Sequence, residues 1–126
     1  MQAIKRILVI IDPNQQKHIA LTRAKLIAGV IESELHLLVC EDRPDHTPLL
    51  EKLTAELTAE GFTASHTQCW HRNLTETIIH VLQSEGCGLV VKQHLPDNPL
   101  KKALLTPDDW KLLRYCPSPV LMVKTT

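Results

Sequence analysis

Aromatic residues are scarce in this 126-residue chain, which has only Phe62, Trp70, Trp110 and Tyr115. Four rings are too few for a platform on which successive nucleic-acid bases stack. Net charge is absent as well, because fourteen basic residues balance fourteen acidic ones. No overall field therefore draws the chain to nucleic acid or to a membrane surface. Long apolar runs are missing too, so nothing spans a bilayer, and the charged start Met1-Gln2-Ala3-Ile4-Lys5-Arg6 leads into no cleavable signal. Cys40, Cys69, Cys87 and Cys116 are widely spaced and form no Cys-x-x-Cys, which favours reduced, partly buried thiols over a disulfide framework.

What remains is ample for a core. Hydrophobic residues make up 44% of the chain, and at this length folding removes roughly two-thirds of the unfolded surface. A single domain over residues 1–126 is expected, without help from disulfides or a structural metal. Charge is uneven along it: +2 over residues 1–40, −5 over 41–85 and +3 over the rest. No like-charge block is long enough to be a tail, so these segments read as solvated faces.

The apolar run Ile7-Leu8-Val9-Ile10-Ile11, stopped by Asp12-Pro13-Asn14, reads as a strand covered on both faces. Helical spacing follows in Ala20, Leu21, Ala24, Ile27, Ala28 and Ile31, and Leu35 to Cys40 is a second strand. Thr47 reads as an N-cap before Pro48, Leu50, Leu53 and Leu57 mark a buried helix side, and Gly61 suits a left-handed terminator. Phe62 to Cys69 is a weaker, more polar strand. Asn73-Leu74-Thr75-Glu76 has capping-box form, and its helix turns Leu74, Ile78, Ile79 and Leu82 inward before Gly86. Gly88 to Val91 is a fourth strand. Thr106-Pro107-Asp108-Asp109 opens a short helix with acids at its positive end, and Val120 to Val123 closes the chain as a strand.

Strand and helix alternate throughout, which predicts right-handed crossovers and an open parallel α/β sheet with helices on both faces. Ligands in such sheets bind beyond the carboxyl ends of the strands, at the switch point. That places candidate ligand contacts on Asp12, Pro13, Asn14, Val39, Lys92, Gln93 and His94, with Cys40 and Trp70-His71 also on the floor. Asp12 has two equally good jobs, binding a sugar or base and ending the strand in a turn. For Lys92 and His94 the plainer roles, a snorkelling amine and a solvent-facing ring, are favoured over anion binding. His66, Cys69 and His71 match no zinc spacing, and strand alternation splits them between faces, so no metal site is expected. No nucleophile with a local base signature is readable for Cys40 or Cys69 with His94. Trp110 has the ordinary task of covering the sheet.

In Val9-Ile10-Ile11-Asp12-Pro13-Asn14-Gln15, Trp70-His71, Thr106-Pro107-Asp108-Asp109-Trp110-Lys111-Leu112-Leu113-Arg114 and Pro119-Val120-Leu121-Met122-Val123-Lys124, the chain resembles the universal stress proteins. It is most similar to the first half of their E-type tandem members. The resemblance implies five strands in the order 3-2-1-4-5, a cytoplasmic stress role and pairing of two domains. ATP-binding members carry Gly-x-x-Gly, nine residues, then Gly-Ser or Gly-Thr; these positions fall here on Gln93, Pro96, Thr106 and Pro107. Proline has no N–H to offer a phosphate, and no glycine occurs from Leu89 to Thr126. Asp12 and Val39 still match family positions that contact adenosine.

The expected function is thus a non-enzymatic, dimeric interaction module without a cofactor; a small-ligand or nucleotide sensor is the alternative. In the implied order the last strand lies at an edge, and Val120, Leu121, Met122 and Val123 are apolar on both faces. A homodimer through that edge is expected.

Overall fold

The computed structural model describes residues 3–94 and 105–124. Its elements run β1 (Arg6–Ile10), α1 (Ile19–Ile31), β2 (Glu34–Val39), α2 (Thr47–Ala59), β3 (Ala64–Gln68), α3 (Leu74–Ser84), β4 (Leu89–His94), α4 (Pro107–Tyr115) and β5 (Val120–Lys124). All strand pairs are parallel, and the sheet order is β3-β2-β1-β4-β5. The order reverses between β2 and β4 around β1, which opens a crevice at the carboxyl ends of those strands.

Period-two alternation in the covered strands builds two cores. Ile7, Val9, Leu35, Leu37 and Val39 point toward α1 and α2, where Ala24, Ala28, Leu50 and Leu57 meet them. Leu8, Leu38 and Val90 point the other way, toward Ile78, Val81 and Leu82 of α3 and Leu112 of α4. Gly61 and Gly86 end their helices at φ 97° and 65°, where a Cβ would strain the backbone. Among the described residues, no helix is long and apolar enough to cross a membrane.

Four local expectations change. Thr47 is not the cap of α2: His46 holds that position without a side-chain bond. Instead Asp45 Oδ1 accepts from the Thr47 amide at 3.0 Å and from its hydroxyl at 2.6 Å, a carboxylate being the stronger acceptor. The third strand is shorter than Phe62 to Cys69, because only Ala64–Gln68 pairs with β2. In α3 the buried side is Thr75, Thr77, Ile78, Val81 and Leu82, with Leu74 and Ile79 half-buried. The Thr77 hydroxyl donates to the Asn73 carbonyl at 2.7 Å and accepts from the His71 amide at 2.8 Å, which satisfies it inside. β4 runs on to His94, beyond the expected Val91, and this extension shapes the site.

Candidate functional site

The crevice at the switch point is a cleft of about 250 Å³. β1 and its turn contribute Ile10, Ile11, Asp12, Pro13 and Asn14; β2 contributes Cys40 and Glu41; α3 contributes Leu74; β4 contributes Lys92 and Gln93. Asp12 is half-buried, and its Oδ1 accepts from the Asn14 amide at 2.9 Å, closing the turn after β1. The turn role is therefore in use, and the residue still lines the cleft. Val39 is fully buried in the core beneath α1 and α2, so its side chain adds no cleft surface. His94 is 2% exposed and is not among the cleft walls.

At the β4 end of the cleft lies a feature that sequence reasoning missed. The Asp109 side chain is completely buried. Its Oδ1 accepts from Lys92 Nζ at 2.9 Å, and its Oδ2 lies 2.9 Å from His94 Nδ1. Its backbone N–H donates to the Thr106 hydroxyl at 3.1 Å, the cap of α4. Burial by itself pushes the Asp109 pKa up. Hydrogen bonds from Lys92 and His94, the Lys92 charge and the Thr106 hydroxyl outweigh it and hold the carboxyl below its ordinary value. Neither Lys92 nor His94 has the solvent-facing role expected of it. Because β4 continues to His94, both side chains share one covered face two residues apart, and a buried cation there needs a buried anion. The readable signal was that period-two pair of basic residues, set against a second Asp in the helix start.

Trp110 does not cover the sheet. It is 62% exposed, while Leu112 is fully buried and does the covering. Asp109 and Leu112 take the inward positions of this nine-residue helix, so its neighbour Trp110 is carried outward.

Cys40 lines the cleft, and both it and Cys69 are held protonated. Burial, with Cys69 beside it, pushes Cys40 up to about 12, and burial with Asp42 raises Cys69. A thiolate nucleophile at neutral pH is thereby suppressed at both positions, and His94 Nδ1 is engaged by Asp109. Cys69 and His71 both lie beyond the end of β3. The His71 ring instead stacks on His80, centroids 5.1 Å apart and planes 17° apart. Near-parallel, offset rings cannot both aim their in-plane lone pairs at one ion. Among the described residues, no three His, Cys, Asp or Glu side chains are grouped to hold a metal. Of the aligned phosphate-loop positions, Gln93 is the second-last residue of β4, Thr106 caps α4 and Pro107 begins it, while Pro96 lies outside the described residues.

Comparison with known proteins agrees with this architecture. Universal stress protein E of Escherichia coli K12 is 32% identical over 148 aligned residues, covering 98% of this chain and 46% of that protein. A functionally unknown protein from Pseudomonas aeruginosa PAO1 has a solved structure that is 60% identical, with a TM-score of 0.95 over 98% of this chain and 44% of its own. The chain thus spans about half the length of these relatives. A universal stress protein solved in complex with cAMP shares the fold at 17% identity and a TM-score of 0.74. The profile of the Universal stress protein family matches residues 3–124. With the sheet order, the switch-point cleft and a match over nearly its whole length, this chain belongs to the universal stress protein family.

Proposed function

We propose that this chain is a cytoplasmic, non-enzymatic stress-response domain that works by pairing with a second such domain and does not hold nucleotide phosphates. Membership of the family supports the stress-response role. The observation that carries the exclusion of phosphates is Asp109. A phosphate near the end of β4 would draw on Lys92 and on the amides at the start of α4. Here Lys92 is already neutralised by the chain's own carboxylate at 2.9 Å, and that carboxylate also draws in His94. An incoming phosphate would have to compete with Asp109 for the Lys92 amine. The pairing rests on β5, an edge strand whose Leu121 is 39% exposed and whose outer backbone groups invite a partner.

Titration calorimetry with Mg-ATP tests the phosphate half of the reading. Heats that yield no dissociation constant in the low micromolar range are expected; tight binding would mean that the phosphates find donors other than Lys92. A second reading is favoured by the cleft itself, which remains open beside Asp12, Pro13 and Asn14. In that reading it takes a small nucleoside-like ligand without engaging phosphates. Thermal shift with adenosine and cyclic nucleotides, on wild type and Asp12→Ala, separates the two. A stabilisation that disappears in Asp12→Ala supports the sensor.

A further inference from the structure

We infer that the Trp110–Leu113 flank of α4 is the surface by which this domain reads its partner, docking on the same flank of a second copy. The inference rests on the β5 pairing proposed above and names where its specificity lies.

Apart from Trp70, the large apolar side chains exposed among the described residues all sit on α1, α4 and β5. These three elements border one edge of the sheet, since β5 is last in the order and α1 touches it. The phase of α4 says which of its residues face that edge. Asp109 and Leu112 turn toward the sheet. At about 100° per residue, Trp110 and Leu113 share one flank and Tyr115 takes the opposite one. The crossover from β4 to β5 is right-handed, as parallel connections are, and α4 runs antiparallel to the strands. With that handedness the Tyr115 flank looks toward α3, and the Trp110–Leu113 flank looks toward the free edge of β5.

In α1 the same helical phase and crossover hand turn Lys25 toward α2, where it pairs with Glu60 at the end of that helix at 2.6 Å.

Two-fold symmetry then selects the occupant. Antiparallel pairing of β5 with its copy puts the axis perpendicular to the sheet, so each α4 has the other α4 as neighbour on the same face. α4 packs on the β4–β5 side of the sheet, its Leu112 sharing one core cluster with Val90, Val120 and Met122. With strands about 4.8 Å apart, the two α4 axes stand roughly 10–15 Å from each other across the dyad. Ordinary helix contact is about 8–10 Å, so the gap is one that large side chains bridge and small ones leave empty. Trp110 and Leu113 have the size for it. A self-complementary apolar flank is what an isologous interface needs, since every residue meets a residue of its own patch.

Area points the same way. Stable dimers bury about 1,200–2,000 Å² in total, more than a five-residue strand pair provides by itself. A tryptophan buries about 150–250 Å² and is the residue type most enriched among binding hot spots. Among the described residues Leu112 seals the sheet at 0% exposure while Trp110 stays 62% exposed.

The test is sedimentation of the full chain from 1 to several hundred micromolar, comparing wild type, Trp110→Ala, Leu113→Asn and Leu121→Lys. Leu121 is a better probe of the edge than Met122, which is half-buried beneath α4. Trp110→Ala should weaken dimerisation roughly 30-fold or more, while the unfolding curve of the dilute monomer stays where it was. In a Trp70→Phe background the fluorescence of Trp110 should shift to the blue as the dimer forms. Wild-type dimerisation that Trp110→Ala leaves within threefold, with emission unmoved, overturns the α4 flank and leaves the β5 pairing standing. Emission already blue-shifted in dilute monomer would place the flank against its own chain and overturn the inference as well. A wild type that remains monomeric throughout overturns the pairing and this surface together.

Discussion

Replacing Asp109 by Asn removes one charge and almost no volume, and the structure says what that should cost. Lys92, 13% exposed, loses its counter-ion 2.9 Å away and is left as a buried ammonium. The asparagine can accept from only one of its two old partners. If its oxygen faces Lys92, its NH₂ is directed at His94 Nδ1, where a carboxylate oxygen accepted before. Breaking one side of a buried pair costs about 3–5 kcal/mol, and the retained shape places this variant near the lower end, about 3 kcal/mol. A domain stable by about 5–15 kcal/mol survives that loss and shows it clearly. Urea unfolding followed by far-ultraviolet circular dichroism is the suitable assay, because both tryptophans are too exposed for fluorescence to report folding well. Adding Lys92→Met to Asp109→Asn should restore part of the loss, since it removes the stranded cation.

The pH dependence supplies a second check. The folded-state pKa of Asp109 lies below its unfolded value of about 3.9. Its contribution is complete above about pH 4 and is lost as pH falls through the folded value. Wild type should therefore lose stability below about pH 4 along a limb that is shallower in Asp109→Asn. A loss of less than about 1 kcal/mol at pH 7, with an unchanged acid limb, would refute the account.

Further expectations concern groups outside the cleft cluster or at its edge. His36 is buried between Ser65 and Thr67, its ring nitrogens 2.6 and 2.8 Å from their hydroxyls, and burial lowers its pKa. The unfolded chain then binds the proton first, so stability is complete above about pH 6.5 and declines below it. The His36 ring in an NMR titration should show a midpoint under the ordinary value; one at or above it would contradict the burial effect. Cys40, with its thiol pushed up to about 12, should escape iodoacetamide at pH 7.5 until urea unfolds the chain. Peptide mass spectrometry showing rapid alkylation of native Cys40 would refute that protection.

Much of this molecule is determined by its sequence alone because the signals are local. Branched apolar runs such as Ile7 to Ile11 need no partner to announce a covered strand, and Asn73, Thr106, Gly61 and Gly86 act on backbone within a few residues of themselves. The alternation of those elements then restricts the topology, since parallel crossovers take one hand. Even the missing glycines after Gly88 are a statement about chemistry made by sequence.

The cluster beneath the cleft was decided by tertiary structure. Lys92 and His94 meet Asp109 across fifteen or more residues of chain, and no local pattern says which carboxylate of Asp108-Asp109 will be carried inside. That choice belongs to the phase of α4 on the sheet, set when Leu112 seals the core and Asp109 follows on the same face. The same rotation sends Trp110 out to solvent. Side-chain roles that depend on the angle at which a short helix settles on its sheet are fixed by packing, because several phases satisfy the capping residues equally and only one fills the core.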